Sequence, residues 1–224
     1  MKMDKIKEYV EEYLEDEDNV RFELAPLKNL PKDLPEVWKE ILKSGDPVHQ
    51  VLEHLWLPLV DLLPKTIPAL QNKLRAIGLL QTELYPYSLI YVFEDAGEAV
   101  FFRGYPSRPI ETDEAKYLPS DFLKLYKIHD GWTDLNGSTG PLPSEEWFAL
   151  SDIYDGEYSD ILPGVRLGDF LVIAETGGYG WLGFDMSKRP PLVLICSPED
   201  PVEVVPNVVR ALDTWMALGL EDLT

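Results

Sequence analysis

The hydrophobic positions change period partway along the chain. Over residues 3–16, Ile6, Tyr9, Val10, Tyr13 and Leu14 recur at helical spacing opposite a charged face. This predicts an amphipathic helix, stopped by the acidic run EDEDN. DLPEVWKEILKSGDP predicts a second helix, with Pro35 in its first turn and Gly45 and Pro47 at its end. VHQVLEHLWLPLVDLLP predicts a third, interrupted near Pro58 and closed by Pro64, and ALQNKLRAIGLLQ a fourth. Residues 1–84 therefore read as a helical N-terminal region.

From Tyr85 the pattern shortens to strand-like runs. YSLIYVFEDAGEAVFFRGY predicts a hairpin, with Gly97 free to adopt positive φ in its turn. In LPSDFLKLYKIHDGWTD, Phe122, Leu125, Tyr126 and His129 fall on one helical stripe. The predicted helix runs from about Pro119 to His129, with His129 over its last carbonyls and Gly131 as its left-handed stop. EWFALSDIYDG predicts a short strand and a turn, DFLVIAETGGYGWLGFDMS a second hairpin, and PPLVLICSP a further strand. VEVVPNVVRALDTWMALGL predicts a short strand and a closing helix buried through Val208, Val209, Leu212, Trp215 and Met216. The sum is an α+β fold, a mostly antiparallel sheet with flanking helices over 85–224, preceded by the helical region.

Composition adds a direction to this picture. The chain has 224 residues, 45% of them hydrophobic, enough for a real core. Its 40 acidic and 20 basic residues leave a formal charge of −20, which repels nucleic-acid phosphates and anionic membranes and steers basic partners inward. No stretch approaches 18 apolar residues, and the N-terminus lacks a signal peptide's apolar segment. Cytoplasmic residence is the expectation. The single cysteine, Cys196, lies in an apolar strand and reads as a buried thiol.

Candidate chemistry is sparse. His129 and Asp130 invite a catalytic reading, but neighbours at a helix end rarely point at each other, and helix capping explains both. His49 and His54 are five apart and do not share a helix face as a zinc pair would. The glycines of TGGYG lie between two strands, so they suit a turn better than a phosphate loop. No catalytic residue, metal ligand or cofactor motif is assigned. The informative segment is Ile128 to Val165, with eight carboxylates, no Lys or Arg, and interleaved aromatics. It reads either as a solvated loop or as a surface for a basic protein.

The order of these motifs resembles the SUKH superfamily, which includes the Smi/Knr-type regulators and many bacterial immunity proteins. Leu118-Pro119 opens a helix that closes at Asp130-Gly131, where the family commonly has asparagine-glycine. LSDIYD at 150–155 is similar to the segment after the family's next strand. Leu182-Gly183-Phe184-Asp185 resembles its apolar run into aspartate, and Val209 to Leu218 its final helix. The resemblance covers about residues 85–220 and implies a protein-binding domain without catalysis. In bacteria it implies an immunity protein that neutralises a polymorphic toxin, often a nuclease, by direct binding. A non-catalytic regulator or scaffold of the Smi/Knr type is the alternative. A carboxylate-dependent hydrolase would require carboxylates converging on His129 in a deep pocket. The expected partner surface comprises Trp132, Asp134, Glu145, Glu146, Asp152, Tyr154, Asp155, Glu157 and Trp181.

Overall fold

The computed structural model describes residues 3–14, 19–95, 97–110, 115–135, 137, 139–154, 164, 166–176, 180–197 and 201–221. Its architecture is α+β, with helices packed around two antiparallel sheets.

The first helix, α1 (Met3–Tyr13), buries Ile6 and Val10, spaced four residues apart on one face, while Tyr9 is exposed. After β1 (Arg21–Leu24) come α2 (Glu36–Lys43) and α3 (Pro47–Val51). Asp46 caps α3 by accepting from the backbone N–H of His49 at 3.1 Å. The chain then widens into a π-turn at Leu52–Trp56 and tightens into a 3₁₀ turn at Leu57–Leu59. Pro58 explains the change, because it has no N–H for the carbonyl four residues back and its ring crowds that carbonyl.

The predicted fourth helix is only half helical. It spans α4 (Thr66–Lys73) and passes directly into β2 (Leu74–Gln81). In β2, Ile77, Leu79 and Leu80 are all buried, because apolar layers lie on both faces of the strand. A strand covered on both faces loses the alternation that marks strands in sequence. Strand β2 pairs with β1 on one side and with β3 (Ser88–Asp95) on the other. Residues on either side of the expected boundary at 84/85 thus share one sheet.

Strands β3 and β4 (Glu98–Pro106) form the predicted hairpin, with Gly97 at φ +89°. Helix α5 (Ser120–Tyr126) follows, then β5 (His129–Asp134), which completes the first sheet in the order β1-β2-β3-β4-β5. The helix is therefore shorter than its apolar spacing predicts. His129 and Gly131 belong to a strand, not to a helix end. Gly131 has φ +93°, and a Cβ there would lie 2.5 Å from the backbone nitrogen of Pro143. Its role is to let β5 approach the following segment closely.

The second sheet contains β6 (Thr139–Pro141), β7 (Phe148–Ala149), β8 (Phe170–Thr176), β9 (Trp181–Asp185), β10 (Leu192–Cys196) and β11 (Glu203–Val205). Its order is β11-β10-β9-β8-β6, with β7 also paired to β8. Helix α6 (Val208–Glu221) closes the described chain, capped by Asn207, whose side chain accepts from the N–H groups of Val209 and Arg210. Buried Asp213 on α6 accepts from the backbone N–H groups of Lys65 and Thr66, fixing α6 to the start of α4.

The largest core gathers the helices between the sheets: Trp38, Trp56 and Leu63, then Tyr91, Phe102 and Trp132 from the first sheet, Ile173 and Phe184 from the second, and Leu212 and Met216 from α6. Helix α1 covers the opposite face of the first sheet over Phe22, Leu80, Ile90, Val92 and Phe101. A third cluster, Leu150, Phe170, Val172, Trp181, Leu194 and Cys196, lies on the other face of the second sheet. Among the described residues, no helix is long and apolar enough to cross a membrane.

Candidate functional site

Strand β5 places its polar residues in two contrasting settings. At its start, His129 is 4% exposed and both ring nitrogens are engaged. Nδ1 lies 3.1 Å from the carbonyl oxygen of Tyr105, so it carries the proton and donates. Nε2, 2.6 Å from the Tyr91 hydroxyl, therefore accepts. The same hydroxyl accepts from Trp56 Nε1 at 3.0 Å. The rings of Trp38, Trp56 and Tyr91 stand 5.6–6.0 Å from the imidazole. Gly104 makes room for it, since a Cβ there would lie 2.6 Å from Cε1. Burial depresses the His129 pKa to about 4, partly offset by the bond to Tyr105, and holds the ring neutral.

His129 also borders a small apolar cavity of about 20 Å³, lined with Trp56, Leu63, Ile128, Trp132, Pro141 and Met216 among others. No carboxylate lines it. Asp130 points elsewhere. Its buried carboxylate accepts from the N–H of Ser144 at 3.0 Å through Oδ1. Its Oδ2 lies 2.6 Å from Arg108 Nε, an ion pair whose alignment is too poor for a hydrogen bond. Arg108 also holds Glu145, donating to Oε1 at 3.0 Å, and so clasps the segment after β4 to the segment after β6. Burial raises the Asp130 pKa, while Ser144 and Arg108 pull it back.

At the far end of β5 the carboxylates face outward. Asp134 accepts from the N–H of Thr139 at 3.3 Å. Asp152 lies apart, accepting at 3.1 Å from the N–H of Ala149, which pairs with Leu171 near the start of β8; Glu146 accepts from the Tyr85 hydroxyl. Glu175 on β8, opposite Gly140 of β6, joins Asp134 and Glu146. Its pKa is raised by partial burial, then by the charges of Asp134 and Glu146. The charges of Asp134 and Glu146 thus converge on Glu175 as one acidic ridge at the seam between the sheets, while the adjacent Glu145 is held by Arg108.

The expected partner surface is therefore partly regrouped. Asp134, Glu145, Glu146 and Asp152 lie on exposed or half-buried sites. Trp132 and Trp181 do not. Trp132 is 2% exposed and stacks on Phe102 at 4.4 Å; Trp181 is 8% exposed and belongs to the third cluster. Neither ring is presented to a partner, because each is the apolar inward residue of a covered strand. Tyr154 is half-buried against Trp181 at 5.4 Å, and Asp155 and Glu157 lie outside the described residues. Glu175 was missed because it falls outside the 128–165 segment; only strand pairing brings it to the ridge.

Two buried donors on β5, Trp132 Nε1 and Thr133 Oγ1, have no hydrogen-bond partner. His49 pairs with Glu53 at 3.3 Å and His54 with Gln50 at 3.0 Å, both at the surface. Among the described residues, no group of three or more His, Cys, Asp or Glu side chains is arranged to hold a metal ion. Burial pushes the Cys196 thiol up to about 12, which suppresses its thiolate. Comparison with known proteins finds no family model, no curated protein and no solved structure that matches the chain.

Proposed function

We propose that the protein is a binding module for a basic protein partner, as the SUKH resemblance implies: a bacterial, cytoplasmic immunity protein that covers a polymorphic toxin without catalysing a reaction. The observation that carries this reading is the ridge at the sheet seam, where the charges of Asp134 and Glu146 both bear on Glu175. A partner's Lys or Arg placed there relieves that repulsion, and the net charge of −20 draws such a partner in from a distance. Local hydrogen bonds already orient Asp134 and Glu146, so a cation meets fixed carboxylates.

The test uses the product of an adjacent toxin-like gene, or the partner captured from the native host. Glu146→Gln and Glu175→Gln, combined, should slow association about tenfold at low salt, with the difference closing at high salt. Gln keeps an acceptor for Tyr85, so the fold is spared. Association indifferent to both salt and the substitutions would remove the ridge from the interface.

A further inference from the structure

His129 closes a hydrogen-bonded relay that runs from the helical layer into the first sheet. Trp56 Nε1 donates to the Tyr91 hydroxyl, which donates to His129 Nε2, while His129 Nδ1 donates to the Tyr105 carbonyl. Each link has one direction. The Tyr105 carbonyl can only accept, so Nδ1 must carry the proton and Nε2 must be the acceptor. A second proton on Nε2 would face the Tyr91 O–H, the group that now donates to it. The hydroxyl would have to turn around and accept, leaving its own proton without a partner in a buried site.

Among the described residues, the surroundings offer the added charge no ionised partner. The groups packed on the ring are the Trp38 and Trp56 rings from the helices, Tyr91 from β3, and Gly104 and the Tyr105 carbonyl from β4. Of these only Tyr91 is titratable, and burial keeps its phenol protonated. Among the described residues, burial and the Tyr105 bond account for its shift. Trp56 and His129 also share the wall of the apolar cavity, so parting them opens that cavity.

We propose that this relay is an acid-released latch: protonation of His129 at Nε2 separates the Trp56 segment from the first sheet and opens the cavity between them, while both sheets remain folded. The device is independent of the acidic ridge, and its failure leaves the partner-binding proposal standing.

The experiment follows the His129 ring nitrogens by NMR in the full chain as pH is lowered, alongside near-UV and far-UV circular dichroism. At neutral pH the ring should show the Nδ1–H tautomer. On acidification its protonation should coincide with a loss of near-UV signal that precedes any loss of far-UV signal. Tyr91→Phe removes the hydroxyl that donates to Nε2, which disfavours the neutral ring. Protonation and the near-UV change should then move together to higher pH by about one unit. The latch is overturned if the wild-type ring stays neutral until the far-UV signal collapses. It is equally overturned if a folded Tyr91→Phe variant protonates at the wild-type pH. The wild-type measurement decides alone if that variant does not fold.

Discussion

The two ends of β5 pose the same problem and solve it differently. His129 begins the strand and Asp134 ends it, and both are titratable groups set against a sheet. His129 is closed in by aromatic rings and satisfied by neutral partners, so it is held neutral until acid protonates it. Asp134 is half-exposed and shares its field with Glu175, so its charge bears on its neighbours. The difference lies in the layer opposite. The start of β5 faces Trp38 and Trp56 of the helical layer; its end reaches the seam with the second sheet, where Glu146 and Glu175 arrive. Burial with neutral partners makes a titratable side chain a packing element, and partial exposure among like charges makes it a candidate contact.

Trp132 lies between these ends, and it gives the largest expected effect. Its ring stacks on Phe102 and meets Trp56 edge-on at 5.5 Å. Trp132→Ala should cost about 3–5 kcal/mol of stability, the usual range for truncating a buried aromatic. Urea unfolding measures this. A loss under about 1 kcal/mol would mean that the ring is a surface feature, and that burial ends before the middle of β5.

The next effect is one of pH. In the unfolded chain His129 takes a proton near the ordinary histidine value of about 6.5. In the folded chain it does so only at about 4. Between those values the unfolded state binds the extra proton. The stability this group contributes is thus fully present above about pH 6.5 and is lost as pH falls toward its folded value. The full loss is about 3 kcal/mol. Unfolding free energy measured between about pH 6.5 and 5, above most carboxylate titrations, should fall with acid in the wild type. The slope should be largely gone in His129→Gln, although that variant is less stable at neutral pH. Equal slopes in the two proteins would place the protonation elsewhere.

What could be read in advance follows the same division between one-sided and two-sided burial. The β3–β4 hairpin and α6 were legible, because YSLIYVFEDAGEAVFFRGY carries its turn glycine and α6 buries a single stripe. Strand β2 was not, since LRAIGLLQ is covered on both faces and shows no alternation. The end of α5 was misplaced because His129 continues the stripe of Phe122, Leu125 and Tyr126; only its pairing with Pro106 of β4 shows that the chain has already become a strand. At the site, a count of carboxylates found Asp134, Glu145, Glu146 and Asp152. Counting could not find Glu175, which is 41 residues from Asp134 and joins it through β6. Nor could it separate Trp132 from an exposed anchor, because an aromatic among acidic residues looks alike in either setting.

The smallest effect tests the acidic end alone. The Glu175 carboxyl is held above its usual pKa, so the folded state accepts its proton more readily than the unfolded chain. Its ionisation therefore opposes folding at neutral pH, and the opposition disappears as pH falls through the raised value. This sign is opposite to that of His129. Glu175→Gln removes the charge and keeps the shape, and should stabilise the protein at neutral pH by less than about 1 kcal/mol, since the group is only half-buried. Added salt should raise the wild-type melting temperature by screening Asp134, Glu146 and Glu175 from one another, and raise that of the variant less. If Glu175→Gln instead loses stability, and salt lowers the wild-type melting temperature, the carboxylate is engaged by a cation within the fold. The ridge would then be an internal ion-pair network, with no unrelieved charge left to draw a partner.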